Sequence, residues 1–129
     1  MPRTDTVVKA VAGMLNSEGG RVFIGVADDG TVIGLEEDYK TLGKQSRDGF
    51  AVTLSNLLEA RLGVNALPLI RIDFESIDGR DVCVVSVDPS TLPIYVREGD
   101  EEQFYVRTQS STRPLNLSEA KQYMDRRFQ

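Results

Sequence analysis

Asn16-Ser-Glu-Gly-Gly-Arg-Val-Phe-Ile-Gly-Val-Ala-Asp-Asp-Gly-Thr-Val-Ile-Gly-Leu35 is the stretch on which the reading of this chain turns. Inside it, residues 22–26 form a short β-branched-rich run that reads as a central, buried strand. Gly19-Gly20 bounds the run on one side and Asp28-Asp29-Gly30 on the other. Asp-Gly supplies the positive φ angles of a tight turn, so residues 31–34 are expected to return as an antiparallel partner. Gly25 stands inside the strand, where it costs stability unless another backbone or a ligand passes close by.

These glycines have two readings, a turn-shaping one and a phosphate-binding one. A phosphate loop runs strand, glycines, helix, so that the helix N-terminus meets the anion. Here a helix comes first and the glycines lead into a strand. No Gly-Lys-Ser or Gly-Lys-Thr occurs, so Walker-type ATPase chemistry has no support in the sequence.

On the N-terminal side, Val8, Val11, Ala12 and Leu15 fall at helical spacing, with Val7 and Met14 widening the apolar face. Thr4 is the expected N-cap, and Asn16 with Gly19 the expected stop. On the C-terminal side the chain turns polar at Glu36, and a second helix is expected over residues 47–62, with Phe50, Leu54, Leu57, Leu58 and Leu62 along one face. Residues 67–76 alternate as a strand, Asp78-Gly79 is a second hairpin turn, and residues 80–87 return buried on both faces. Cys83 falls in that run and reads as a core residue. A third hairpin is expected from residues 94–97 and 103–107, and residues 109–114 read as irregular. Asn116 or Ser118 should cap a last helix whose Leu117, Ala120, Tyr123, Met124 and Phe128 face inward. No repeat or linker divides residues 1–129, so one domain is expected. Its class is α+β: a mixed, mostly antiparallel sheet of about six strands covered by two to three helices.

The chain of 129 residues carries a formal net charge of −5, which argues against sequence-blind binding to nucleic acid. It contains no histidine, which removes Ser-His triads and His-ligated metals together. No apolar run approaches a membrane span and no signal-peptide pattern opens the chain; with a single cysteine, a cytoplasmic setting without membrane contact is expected.

The spaced motifs resemble the Schlafen/Alba-like domain family, also labelled divergent AAA or DNA-binding. Met14-Leu-Asn-Ser-Glu-Gly-Gly20 is similar to the family's helix-ending Phe-Ala-Asn-Thr-x-Gly-Gly, and residues 22–26 to its strand ending Gly-Val. Asp29-Gly30 with Ile33-Gly34-Leu35 resembles its turn and return. Pro93-Ile-Tyr-Val96, Phe104-Tyr-Val-Arg107 and Ser110-Ser-Thr-Arg-Pro-Leu115 resemble its Pro-Val-Tyr and Tyr-Val-Arg-x-Gly-Ser-Ser-x-Arg. The resemblance implies a nucleic-acid- or nucleotide-binding accessory domain of a prokaryotic regulatory, defence or helicase-related protein, covalently linked to neighbouring domains or assembled as a homo-oligomer. The family's ATP-binding label has no motif behind it here. Family members commonly begin with a strand bearing two glutamates, which join an aspartate in the metal site of the RNA-cleaving members. Only three residues precede the first helix in this sequence, and Asp28 and Asp29 are the only counterparts of that aspartate. Hard cations need several oxygen ligands, so neither a metal nor any other cofactor is expected. The alternatives are a nuclease domain incomplete in this chain, and an interaction domain without a small ligand.

The expected site is an anion-binding one built from Arg107, Ser110, Ser111 and Arg113 beside the Gly19-Gly20 corner. Guanidinium forks and hydroxyls suit phosphate oxygens, and glycines let a phosphate approach backbone amides. Alternatively, Arg107 pairs with Glu18 or Asp28 and the serines cap turns. Tyr95 and Tyr105 are either stacking surfaces for bases or packing. Lys121, Arg126 and Arg127 read as a solvated helix face.

Overall fold

A helix whose C-terminal half is almost entirely apolar belongs in an interior, and the first helix, α1 (Thr4–Leu15), takes that place. From Val8 to Asn16 only Lys9 escapes burial. The computed structural model describes residues 4–41 and 46–128. After α1 come β1 (Gly20–Ile24), α2 (Glu36–Thr41), α3 (Arg47–Leu62), a 3-10 turn over Val64–Leu69, β2 (Ile70–Ile77) and β3 (Arg80–Val87). Then follow β4 (Val96–Glu98), β5 (Glu101–Thr108), β6 (Ser111–Leu115) and α4 (Leu117–Arg127).

The class is α+β, with antiparallel pairing throughout. The six strands divide into two three-stranded sheets, ordered β1-β3-β2 and β4-β5-β6, rather than forming one. The main core joins both sheets through α1 and α3: Val8, Val11 and Leu15 meet Phe50, Leu54 and Leu58, with Val85 from one sheet and Tyr105 from the other. A smaller core lies between β5–β6 and α4, where Phe104, Val106 and Ala120 are buried. The second sheet therefore has α1 on one face and α4 on the other. Gly13 lets α1 approach β5 closely, because a Cβ there would lie 3.1 Å from the Val106 carbonyl carbon.

The structure revises several sequence expectations. The central strand of the first sheet is β3, not β1. Val82, Cys83 and Val85 are wholly buried, whereas β1 is an edge with Phe23 46% exposed. The longer, uniformly apolar run wins the middle because it alone can be buried on both faces. β1 also ends earlier than expected, at Ile24, because Gly25 turns the chain with φ +101. Residues 31–34 return only as far as one bridge, Val26 to Val32, with the Ile33 and Gly34 amides donating to the Gly25 carbonyl.

α2 forms where the sequence reads merely as polar, and residues 67–69 belong to the 3-10 turn rather than to a strand. The segment 109–114 is no irregular loop. It is the turn and edge strand of a β5–β6 hairpin, with Gln109 at φ 55. Leu117 is 92% exposed instead of facing inward, because Asn116 rather than Ser118 caps α4 and directs the first turn to solvent. The Asn116 carboxamide accepts from the Glu119 amide while Glu119 reaches back to the Asn116 amide, a reciprocal capping box. Both the Asp78-Gly79 turn and the β4–β5 hairpin stand where the sequence put them.

Candidate functional site

The register of β4 and β5 explains what the end of α1 does. Val96 pairs with Gln103, so two residues further back Ile94 would face Tyr105. The strands have parted by then, and the wholly buried Asn16 side chain fills the gap. Its Nδ2 donates to the Ile94 carbonyl at 2.8 Å and the Tyr105 carbonyl at 2.9 Å, and its Oδ1 accepts from the Ile94 amide at 2.8 Å. Next along β5, the Arg107 amide donates to Ser17 Oγ at 3.0 Å. Residues 16 and 17 thus stand in for the missing length of β4.

α4 closes over the same corner. Tyr123 Oη donates to the Asn16 carbonyl at 2.6 Å and lies 3.3 Å from Ser17 Oγ. Arg127 Nη2 donates to the carbonyls of Ser17 and Ser90, each at 2.9 Å, while its guanidinium lies over the Phe128 ring. The solvated-face reading therefore fails for Arg127, whose partners come from elsewhere in the chain. It suits Lys121, which is exposed and ion-paired with Asp125.

Arg107 leaves β5 on the α1 side, where its Nη1 donates to Thr112 Oγ1 at 2.7 Å. Among the described residues no carboxylate pairs with it, neither Glu18 nor Asp28. Cross-strand partners share a face, so the register Val106 opposite Arg113 places Arg113 on the α4 side of the hairpin, away from Arg107. Ser111 lies opposite Thr108 on that same α4 side, and Ser110 is in the exposed turn. The hairpin thus separates the two arginines that the linear sequence sets side by side.

Gly19 and Gly20 lie just past Ser17, Gly19 half-buried and Gly20 exposed, and each has protein against the side a Cβ would take. The Gly19 amide donates to the Met14 carbonyl at 2.9 Å, and a Cβ on Gly19 would collide with the Val87 carbonyl oxygen. A Cβ on Gly20 would sit 3.1 Å from the Met14 sulfur. These contacts fit the turn-and-packing role of the glycines. Tyr105 is buried and donates to Glu98 at 2.8 Å beneath Lys9, so it packs rather than presents a stacking face. Tyr95 is 39% exposed and leans on Phe104.

Charge is distributed unevenly. Lys9, Arg47, Arg61 and Arg71 each pair with a carboxylate. The hydrogen bonds from Lys9 and Arg61 hold the Asp5 carboxyl below its usual range, and those from Arg47 and Tyr39 do the same for Asp81. Clefts of about 470 Å³ lie beside these two networks, one lined by Asp5, Lys9, Arg61, Arg97 and Glu98, the other by Glu36, Tyr39, Lys40 and Asp81. Arg107, Arg113, Arg126 and Arg127 make no ion pair among the described residues and gather on β5–β6 and the end of α4, while Arg21, Arg80 and Arg97, which make none either, lie apart from them. The opposite end of β5 carries Glu98, Asp100, Glu101 and Glu102 around its turn. Asp28 is exposed, and Asp29 has its pKa lowered by the Thr31 side chain and then by the Thr31 amide, which donates to it at 2.9 Å and gives it a turn-forming role. Among the described residues no three His, Cys, Asp or Glu side chains are grouped to hold a metal ion. No helix among them is long and apolar enough to cross a membrane.

Sequence reasoning missed Asn16, Ser17, Tyr123 and Arg127 as parts of this corner. The Asn-Ser-x-Gly-Gly pattern was the available signal, but it reads locally as a helix stop.

Comparison with known proteins agrees with this architecture. The DIP2311 protein of Corynebacterium diphtheriae, known from its crystal structure, superposes with a TM-score of 0.66 at 21% identity, over 96% of this chain and 22% of that one. The chain thus spans about a fifth of that neighbour's length, and the likeness concerns the fold. No curated protein matches in sequence. The sequence pattern of the family described as Schlafen, AlbA_2 matches residues 2–116, which takes in everything from α1 through β6. A match over so much of its length places the chain in the Schlafen AlbA_2 family.

Proposed function

We propose that the domain is a nucleic-acid-binding accessory module whose contact surface is centred on Arg107, beside Ser17 and Arg127. The observation that carries this reading is the placement of Arg107. Its backbone is fixed by β5 and Ser17, its side chain is oriented by Thr112, and no described carboxylate neutralises it. A guanidinium held this way retains donors for phosphate oxygens. Arg127, tied to the Ser17 carbonyl, brings a second cation to the same corner. Membership of the Schlafen AlbA_2 family is consistent with a nucleic-acid-related role. The acidic turn at residues 98–102 would repel a phosphate chain from the far end of β5, so the strand approaches from the β5–β6 turn. A host protein of regulatory, defence or helicase-related type, holding further domains, belongs to this same proposal.

Fluorescence anisotropy with short labelled single-stranded DNA and RNA tests it. With two phosphate contacts, the log–log salt slope is expected to be about −1.4. Arg107→Ala should weaken binding and flatten the slope. Lys121→Ala should do neither, because Asp125 already offsets that charge. Equal losses in both variants, or no binding by the unmodified chain, would defeat the proposal.

A further inference from the structure

We infer that β2 is a self-pairing edge, through which two copies of this chain join their β1-β3-β2 sheets about a twofold axis. The Asp78-Gly79 turn has positive φ at both positions, 53 and 76, which is the two-residue hairpin whose closing pair is hydrogen-bonded. That pair is Ile77 and Arg80, so Ile77, Glu75, Asp73 and Arg71 direct their amides and carbonyls at β3. The bond from the Asp88 amide to the Leu69 carbonyl extends the same phase. Ile70, Ile72 and Phe74 therefore point theirs outward; the Ile70 amide is taken by the Leu67 carbonyl, and among the described residues no backbone group meets the amides of Ile72 and Phe74.

The side chains on this edge are self-complementary in one register. The face away from the core carries Arg71, Asp73 and Glu75, all exposed, and the core side carries Ile70, Ile72 and Phe74, all half-buried. Antiparallel pairing centred on Ile72 sets Arg71 against Asp73 of the second copy, twice by symmetry. It also sets Ile70 against Phe74, and Ile72 against itself. The two Arg–Asp pairs fall at non-hydrogen-bonded positions, where side chains come closest. Centring on Arg71 sets Arg71 against itself, and centring on Asp73 sets Asp73 against itself between two Arg71–Glu75 pairs, so each brings a like-charge pair that the Ile72 register lacks. The outward amides of Ile72 and Phe74 meet outward carbonyls only in a register of this parity. Charges on an edge strand ordinarily prevent pairing, but alternating signs placed so that each meets its opposite select one partner, a second copy.

Sedimentation velocity over a concentration series of the whole chain tests this, with the single charge reversals Arg71→Asp and Asp73→Arg and the double reversal. Each single variant should weaken self-association about tenfold or more, since two attractive pairs become repulsive. The double variant should restore it. Arg71 also pairs with Asp88, but both side chains are about half exposed, so the fold should tolerate its loss, and thermal melts check that it does. Hydrogen exchange should show the Ile72 and Phe74 amides slowing as concentration rises. A monomer at every concentration, or a dimer indifferent to the single reversals, would overturn the inference.

Discussion

Replacing Asn16 by alanine should be among the most damaging single changes available in this chain. The substitution removes three hydrogen bonds of 2.8, 2.9 and 2.8 Å and exposes nothing to solvent in exchange, because the residue is wholly buried. The Ile94 amide, the Ile94 carbonyl and the Tyr105 carbonyl would each lose their partner from Asn16. A buried polar group left without a partner costs about 1–3 kcal/mol, and partial relaxation brings the expected total to about 3–5 kcal/mol. Against a domain stability of about 5–15 kcal/mol, that is a large share. Equilibrium urea denaturation should show the midpoint falling by about 1–3 M with an unchanged slope. Asn16→Asp separates hydrogen bonding from size. At neutral pH the new carboxylate can still accept from the Ile94 amide, but it faces two carbonyls with no proton to offer. Its folded-state pKa would be raised, so the penalty relative to the unmodified protein should be smallest below about pH 4 and grow as pH rises. A midpoint shift worth less than about 1 kcal/mol for Asn16→Ala would refute the clamp and make Asn16 a helix stop after all.

Gly25→Val should cost about 1–3 kcal/mol, read from the same denaturation curves. The site has φ +101, and a Cβ would lie 3.3 Å from the Gly34 carbonyl carbon; an unchanged midpoint would count against this. Asp81→Asn should flatten the acid limb of the stability–pH profile. Arg47 and Tyr39 lower the Asp81 pKa, so its contribution is present above the unfolded value near 3.9 and is lost as pH falls through the lower folded value. Cys83 should resist a thiol reagent at pH 8 until urea is added, because burial pushes the thiol up to about 12, and rapid labelling of the native protein would contradict this. The isolated chain should bind an oligonucleotide without cutting it in magnesium or manganese, and cleavage abolished by Asp28→Asn would overturn that expectation.

Elements governed by local pattern could be read from the sequence. The α3 face of Phe50, Leu54, Leu58 and Leu62 follows from helical spacing, and the β2–β3 hairpin from an Asp-Gly between two apolar runs. The family motifs led to the right fold class. The identity of the central strand was out of reach, because β1 and β3 are both short apolar runs and only their competition for a two-sided place decides. β6 was hidden for a different reason: as an edge strand with Arg113 and Pro114 exposed, it has little alternation to display. At the candidate site, Arg107 and its hydroxyl neighbours were visible as residue types. That Arg113 lies on the other face depends on a turn at Gln109 that the polar composition disguised. Asn16 could not be recognised as a clamp because its partners are far along the chain.

That distance has a meaning in time. Ile94 and Tyr105 follow Asn16 by 78 and 89 residues, so a chain synthesised at about 5–20 residues per second makes its first helix about 4–18 s before the last anchor exists. Through that interval α1, apolar along most of residues 7–15, has no second sheet to enter. Chains halted short of Tyr105 should accordingly come out of synthesis insoluble or chaperone-bound, while those carried through α4 to Phe128 should not. The interval between Asn16 and its anchor is thus the period in which this domain is most exposed to misassembly.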